Sequence, residues 1–234
     1  MLLPRYLPTG TFVAIPLSLL QSNYYHLHSG LDMTTLNTLI PLNAYVAHAI
    51  YDWDRKKDLT TTEYDKKVRN IYEKTTMAAL LLSSCTIYEE EQLKRLVPFL
   101  YILYNFYDEL KTSLSILKPF LVSFFWTIAV YVFPVVFQEH ALNGDIATPL
   151  SCFCLMAGWS NLADIKDIED DIEKNILTPA TYLKSENTFL LSSILIFVSL
   201  ILNNSSENYD EYCKVFDLFN LISLIVFYGL TRNL

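Results

Sequence analysis

Apolar runs alternate with short polar stretches along the whole chain, and none shows the strict two-residue alternation of a half-buried strand. The runs fall at Gly10–Tyr25, Met33–Tyr51, Thr75–Tyr88, Leu96–Tyr107, Pro119–Phe137, Ile146–Ala163, Thr188–Leu202 and Tyr212–Tyr228. Several are shorter than the roughly 20 residues that an α-helix needs to cross a bilayer core. Tyr, Trp and Asn at their ends are the residues expected to complete such a crossing at the interface. The pattern predicts an all-α integral membrane bundle of about eight transmembrane helices, forming one domain over residues 1–234.

Loop charge tests that topology independently. Alternating the runs across a membrane puts Arg5, the loops 52–74, 108–118 and 164–187, and Arg232 on one side. That side receives 14 of the 17 Lys and Arg residues, leaving Lys94, Arg95 and Lys214 on the other. Such a bias marks the cytoplasmic face and places both termini there. Composition agrees: 52% of residues are hydrophobic and 18% charged, with a mean hydropathy of +0.27, against about a quarter charged in a soluble domain. The net charge of −8 and the lack of a basic, aromatic-interleaved patch argue against a nucleic-acid partner. Cys85, Cys152, Cys154 and Cys213 form no CxxC and have no His at metal spacing, so they read as small apolar residues of the helices.

Chemistry concentrates on the basic side. Asp164, Asp167 and Asp171 fall at i, i+3 and i+7, one face if the stretch is helical. Two carboxylates about 6 Å apart repel by roughly 3 kcal/mol at an effective dielectric of about 20, so such a group either raises its own pKa values or holds a cation. Four runs earlier, Asp54 and Asp58 stand at i and i+4, again directly after an apolar run. Paired carboxylates at the end of a helix bundle suit Mg²⁺, which takes one or two of them together with waters and phosphate oxygens. No Ser-His-Asp set, glycine-rich phosphate loop or dinucleotide fingerprint is present.

These two clusters resemble the paired aspartate motifs of the UbiA superfamily of intramembrane prenyltransferases. Asp54-Arg55-Lys56-Lys57-Asp58 is similar to the second half of that family's first motif. Asp164, Asp167 and Asp171, followed by Asn175-Ile176-Leu177-Thr178, are similar to its second motif and the Gly-Ile-x-Ser/Thr stretch after it. Tyr107-Asp108-Glu109-Leu110-Lys111 fits the family's YxxxK signature between them, and Lys118-Pro119 opens the next run at a familiar distance. Ile50 stands where the first motif carries Asn, and Asp170 where the second usually carries Gly.

The resemblance implies transfer of an isoprenoid chain from a prenyl diphosphate to a hydrophobic acceptor: an aromatic ring, a quinone precursor, a tetrapyrrole or a lipid. It implies catalytic roles for Asp54, Asp58, Asp167 and Asp171, with Asp164 joining them around Mg²⁺, and diphosphate binding by Lys111, Tyr107, Arg55 and Lys166. The lipid bilayer is the implied surroundings of the chain. Two other readings share the aspartate clusters: a soluble aspartate-rich isoprenoid synthase or cyclase, and a non-catalytic membrane homologue. Ile50 favours the latter.

Overall fold

Four apolar runs of the C-terminal half become long helices, and for one of them the chemistry of its end explains where it begins. The computed structural model describes residues 113–138, 146–173, 175–206 and 209–231, together with Leu20, Asn23, Ile71, Lys74, Thr75, Ala78, Ala79, Leu82, Glu91 and Lys94. The chain divides into two compact units, Met1–Ser22 with Leu31–Asn105, and Asn23–Gly30 with Phe106–Leu234. In the first unit the described residues are helical, and Lys94 pairs with Glu91 at 3.1 Å. Most of the first four predicted spans lie outside the described residues.

In the second unit a 3₁₀ turn, Ser115–Leu117, leads into α1 (Lys118–Gln138). Then follow α2 (Ala147–Ile165), the short α3 (Ile168–Glu173), α4 (Pro179–Asn204) and α5 (Glu211–Thr231). Among the described residues there is no strand. α1, α2 and α5 match the predicted spans to within about three residues, which is ordinary for helix ends. α4 begins nine residues before the predicted Thr188.

That early start has a local cause. Thr178 is an N-cap in extended conformation, with Pro179 as the first helical residue, where its missing N–H costs nothing. The Thr181 amide donates to Thr178 Oγ1 at 3.3 Å, and the Thr178 amide donates to Thr181 Oγ1 at 2.9 Å. This reciprocal box meets two of the end's orphaned donors. Lys184 then leaves helical geometry (φ 64°, ψ 168°), dividing α4 into a short entry and a long main segment.

α4 is long and apolar enough to cross a membrane: the segment 185–204 beyond the break at Lys184 extends about 30 Å at about 1.5 Å per residue, close to a hydrocarbon core of about 30 Å.

Inside, small and polar residues are mixed with Trp126, Leu155, Leu162 and Ile196, while many large apolar residues lie outside. α2 and α4 make the most extensive contact. Ser151, Cys152, Cys154, Leu155, Ala157, Gly158 and Asn161 are buried on α2, and Thr188, Ser192, Ile196, Ser199 and Asn203 on α4. The opposite face of α4 exposes Leu190, Ile194, Phe197 and Ile201, and α5 exposes Val215, Leu218, Phe219, Ile222 and Ile225, the last at 70%. Both sets recur every three or four residues, so each is a continuous stripe. Water-soluble domains order these residue types the other way round.

Side-chain bonds at the far end of the unit fix the register. Ser151 Oγ lies 2.5 Å from Asn203 Oδ1 and 2.9 Å from Ser199 Oγ. Asn203 Nδ2 donates to Asp217 Oδ1 at 3.0 Å, and the Tyr209 hydroxyl donates to Asp217 Oδ2 at 2.9 Å. Trp159 Nε1 donates to Asn220 Oδ1 at 3.0 Å, tying α5 to α2. Near the other end of α5, the rings of Phe189 and Tyr228 lie 4.9 Å apart. α4 therefore runs antiparallel to both α2 and α5.

At Gly158, α2 approaches α4 closely. A Cβ there would lie 2.7 Å from Ile196 Cγ1 and 3.0 Å from the Ser192 carbonyl oxygen. Gly158→Ala should therefore lower stability by about 1–3 kcal/mol, the usual cost of overpacking. Adding Ile196→Ala removes the nearer obstruction, so the thermal unfolding midpoint of the double variant should fall by less than the two single effects together.

Candidate functional site

The acidic stretch expected as one helix is two helices with a break between them. α2 ends at Ile165, Lys166 and Asp167 form a turn, and α3 starts at Ile168. The turn keeps helix-like bonds, since the Asp167 amide donates to the Asp164 carbonyl at 3.1 Å and the Asp171 amide to the Asp167 carbonyl at 2.8 Å. The three carboxylates consequently stay on one side despite the interruption, and all three act electrostatically on a single ammonium, that of Lys118.

Lys118 is the first residue of α1. Its Nζ lies 2.9 Å from Asp164 Oδ1 in a pair that is largely shielded from solvent. A charge-assisted bond at this distance ties the start of α1 to the end of α2. Asp171 is buried at 8% exposure, and Thr178 Oγ1 approaches its Oδ2 at 3.5 Å, joining the cluster to the cap of α4. Asp167 is half-buried, whereas Lys166, expected to bind phosphate, is exposed in the turn.

The loop after α3 is shaped by backbone geometry. Asn175 sits at φ 55°, its amide donating to the Ile172 carbonyl at 3.1 Å, while the Ile176 amide donates to the Asp171 carbonyl at 2.8 Å. This pair of bonds closes a helix through a left-handed residue, a role that Asn fills when Gly is absent. The closure turns the chain back so that Thr178 meets Asp171.

Burial pushes the Asp171 carboxyl above the ordinary carboxylate range; Lys118 opposes the rise, the negative charges of Asp164 and Asp167 add to it, and the Thr178 bond opposes it. α3, which carries Asp171, lies outside the long helices. Three carboxylates and one ammonium leave the cluster with a net negative charge when all are ionised, a field that attracts cations.

Asp54, Asp58, Arg55, Tyr107 and Lys111 lie outside the described residues. Among the described residues no three carboxylate, His or Cys side chains converge as a complete metal site. The donor set still fits Mg²⁺ in part: Asp167 and Asp171 offer hard carboxylate oxygens of the type this ion takes in ones or twos. Asp164, expected among the ligands, has its Oδ1 bound to Lys118. Sequence reasoning placed Lys118 only at the opening of an apolar run, and Thr178 only in the stretch after the motif. Their part in the cluster depends on tertiary contacts, although a Lys preceding Pro at the start of an apolar helix is a detectable signal. Comparison with protein families, curated proteins and solved structures finds no match to this chain.

Two outcomes follow from this geometry. Lys118→Met removes the close ammonium from the largely buried Asp164 carboxylate and should destabilise the protein by about 3 kcal/mol; Lys118→Met with Asp164→Leu should recover most of that loss. Thermal unfolding of the purified protein measures both. An acid whose folded pKa is raised binds more protons when folded, so stability falls as pH rises from the ordinary value of 3.8 through the raised one. Asp171→Asn should therefore melt above wild type at neutral pH, with the difference shrinking below the ordinary carboxylate range.

Proposed function

We propose that the chain is an integral membrane prenyltransferase of the UbiA type, moving an isoprenoid chain from a prenyl diphosphate to a hydrophobic acceptor. The observation that carries this reading is the gathering of Asp164, Asp167 and Asp171 around Lys118 at the end of a helical unit whose outer faces are apolar. An apolar exterior suits a bilayer, where helices pack through small residues and polar side chains turn inward. In this reading the bundle comprises about eight membrane-spanning helices, with the aspartate motifs on the cytoplasmic side.

Each residue then has a task. Asp54, Asp58, Asp167 and Asp171 supply the carboxylates that would hold Mg²⁺, and Asp164 supports them by fixing Lys118. Mg²⁺, when bound, supplies electrostatic stabilisation of charge on the departing diphosphate. Lys118 joins Lys111, Tyr107, Arg55 and Lys166 as a group that binds and orients phosphate oxygens; as a Lys it does so as a point charge. The apolar helices exclude water from the allylic carbon while its bond to the diphosphate oxygen breaks.

A second reading has its own observation. Ile50 replaces the first motif's Asn, which favours a protein that binds a prenyl diphosphate without turning it over.

The deciding experiment incubates detergent-purified protein with a prenyl diphosphate, Mg²⁺ and a panel of aromatic, quinone-precursor, tetrapyrrole and lipid acceptors, and measures product mass. Asp167→Ala and Asp171→Ala should each abolish the product formed by wild type. Full turnover in either variant overturns the assignment, while diphosphate binding without any product in wild type selects the second reading.

A further inference from the structure

The break in α4 carries two costs. Lys184 sits at φ 64°, ψ 168°, a backbone region that Gly enters freely and that strains any residue with a Cβ. Its side chain is exposed, so the strain lies in the backbone. The second cost falls one turn later, where Thr188 Oγ1 is buried and has no hydrogen-bond partner within the protein. On the straight part of the same helix, Ser192 and Ser193 return their hydroxyls to the carbonyls four residues back, each at 2.8 Å. The carbonyl four before Thr188 is that of Lys184, and the break keeps it from the Thr188 hydroxyl. A buried hydroxyl without a partner is unfavourable. Helical geometry at Lys184 would remove both costs together.

Docking on both sides holds the break in place. Before Lys184, the entry of α4 packs on α3. Thr178, Pro179 and Ala180 are buried there, and Thr178 Oγ1 lies 3.5 Å from Asp171 Oδ2. After Lys184, the main segment packs on α2, with Ser192 and Ile196 against Gly158 and with Ser199 and Asn203 against Ser151. Asn187 Nδ2 spans the break, donating to the Leu183 carbonyl at 3.1 Å. Lys184 absorbs the mismatch between two docked pieces, and strain of this kind persists only where the surroundings impose it. The Thr178–Asp171 clasp is slight, since 3.5 Å is long for a hydrogen bond between oxygens.

We infer that α4 is a two-state element, broken at Lys184 while Thr178 is clasped to Asp171 and continuous from Pro179 to Asn204 when the clasp is released. In the continuous form Lys184 is relaxed and its carbonyl accepts from Thr188 Oγ1, which offsets the exposure of Pro179 and Ala180. Each form satisfies what the other leaves unmet, the condition for a segment that switches between two packings. Any group that draws Asp171 Oδ2 away from Thr178 favours the continuous form. The carboxylate cluster is thereby coupled to the shape of the long apolar helix. This coupling does not depend on prenyl transfer, and its test uses no substrate.

Thermal unfolding of the full-length protein in detergent reads the strain. Lys184→Gly should raise the melting temperature by several degrees, because Gly takes this backbone without penalty, while Lys184→Ala should stay close to wild type. Spin labels at Tyr182 and Ile201, both exposed, read the shape in a Cys85→Ser background, Cys152, Cys154 and Cys213 being buried. On a continuous helix these two positions lie about 28 Å apart, at about 1.5 Å per residue. Asp171→Ala should shift the distances from those of wild type to that value, and Lys184→Gly should keep the wild-type distances. Thr178→Gly removes the clasp from its other side at a position where Gly still caps a helix, and should act as Asp171→Ala does. The inference is overturned if Lys184→Gly melts below wild type and Lys184→Ala above it, the order of an ordinary helix interior. It is overturned equally if the distances stay unchanged when the clasp is removed.

Discussion

The contact of Gly158 with Ser192 and Ile196 is the constraint on which the other features of this unit depend. It brings α2 and α4 close along a stripe where small side chains are interleaved with Leu155 and Ile196, and it fits their antiparallel register. Ser151 consequently reaches Ser199 and Asn203 at one end. At the other end, the local closure at Asn175 brings the Thr178 cap to Asp171. A larger residue at position 158 acts beyond its own turn, because interhelical distance and register cannot be altered separately in a densely packed stripe.

The interior is correspondingly polar. Asn203, Asp217 and Tyr209 satisfy one another across α4, α5 and the loop between them, and Trp159 bonds Asn220. In an apolar setting such bonds hold helices together where burial of apolar surface gives no net attraction between them. The Lys118–Asp164 pair is a different case. Its desolvation offsets much of its Coulombic attraction, so it adds little net stability, but separating its members is costly. Its effect is positional: α1 begins where α2 ends.

Much of the helical layout was legible in hydrophobic periodicity. α1, α2 and α5 follow apolar runs that end in charged or turn-forming residues. α4 was legible only in part, because the apolar run starts at Thr188 whereas the helix starts at the capping residues Thr178 and Pro179, ten positions earlier in a polar stretch. The interruption at Lys166 and Asp167 was hidden for another reason. The spacing of Asp164, Asp167 and Asp171 is the same on a continuous helix and on one broken by a turn that keeps local bonds. The Asp164–Lys118 pair, separated by 46 positions, and the unpartnered hydroxyl of Thr188 arise from packing and from the Lys184 backbone, which no local pattern records.

The pairing of Asp164 also narrows the chemistry open to the cluster. A carboxylate bound to an ammonium at 2.9 Å is a poorer metal ligand than a free one, because a cation must compete with Lys118 for it. Asp167 and Asp171 lack so close a cationic partner among the described residues, and Asp171 already shows the disfavoured ionisation of a buried acid near like charges. Positive charge delivered to these two relieves that repulsion, and two carboxylates match the number Mg²⁺ takes from a protein when phosphate oxygens and waters supply the rest. Lys118 stays beside them as a fixed positive charge. Of the three aspartates, Asp164 holds an ammonium at 2.9 Å, and the other two have none so close among the described residues.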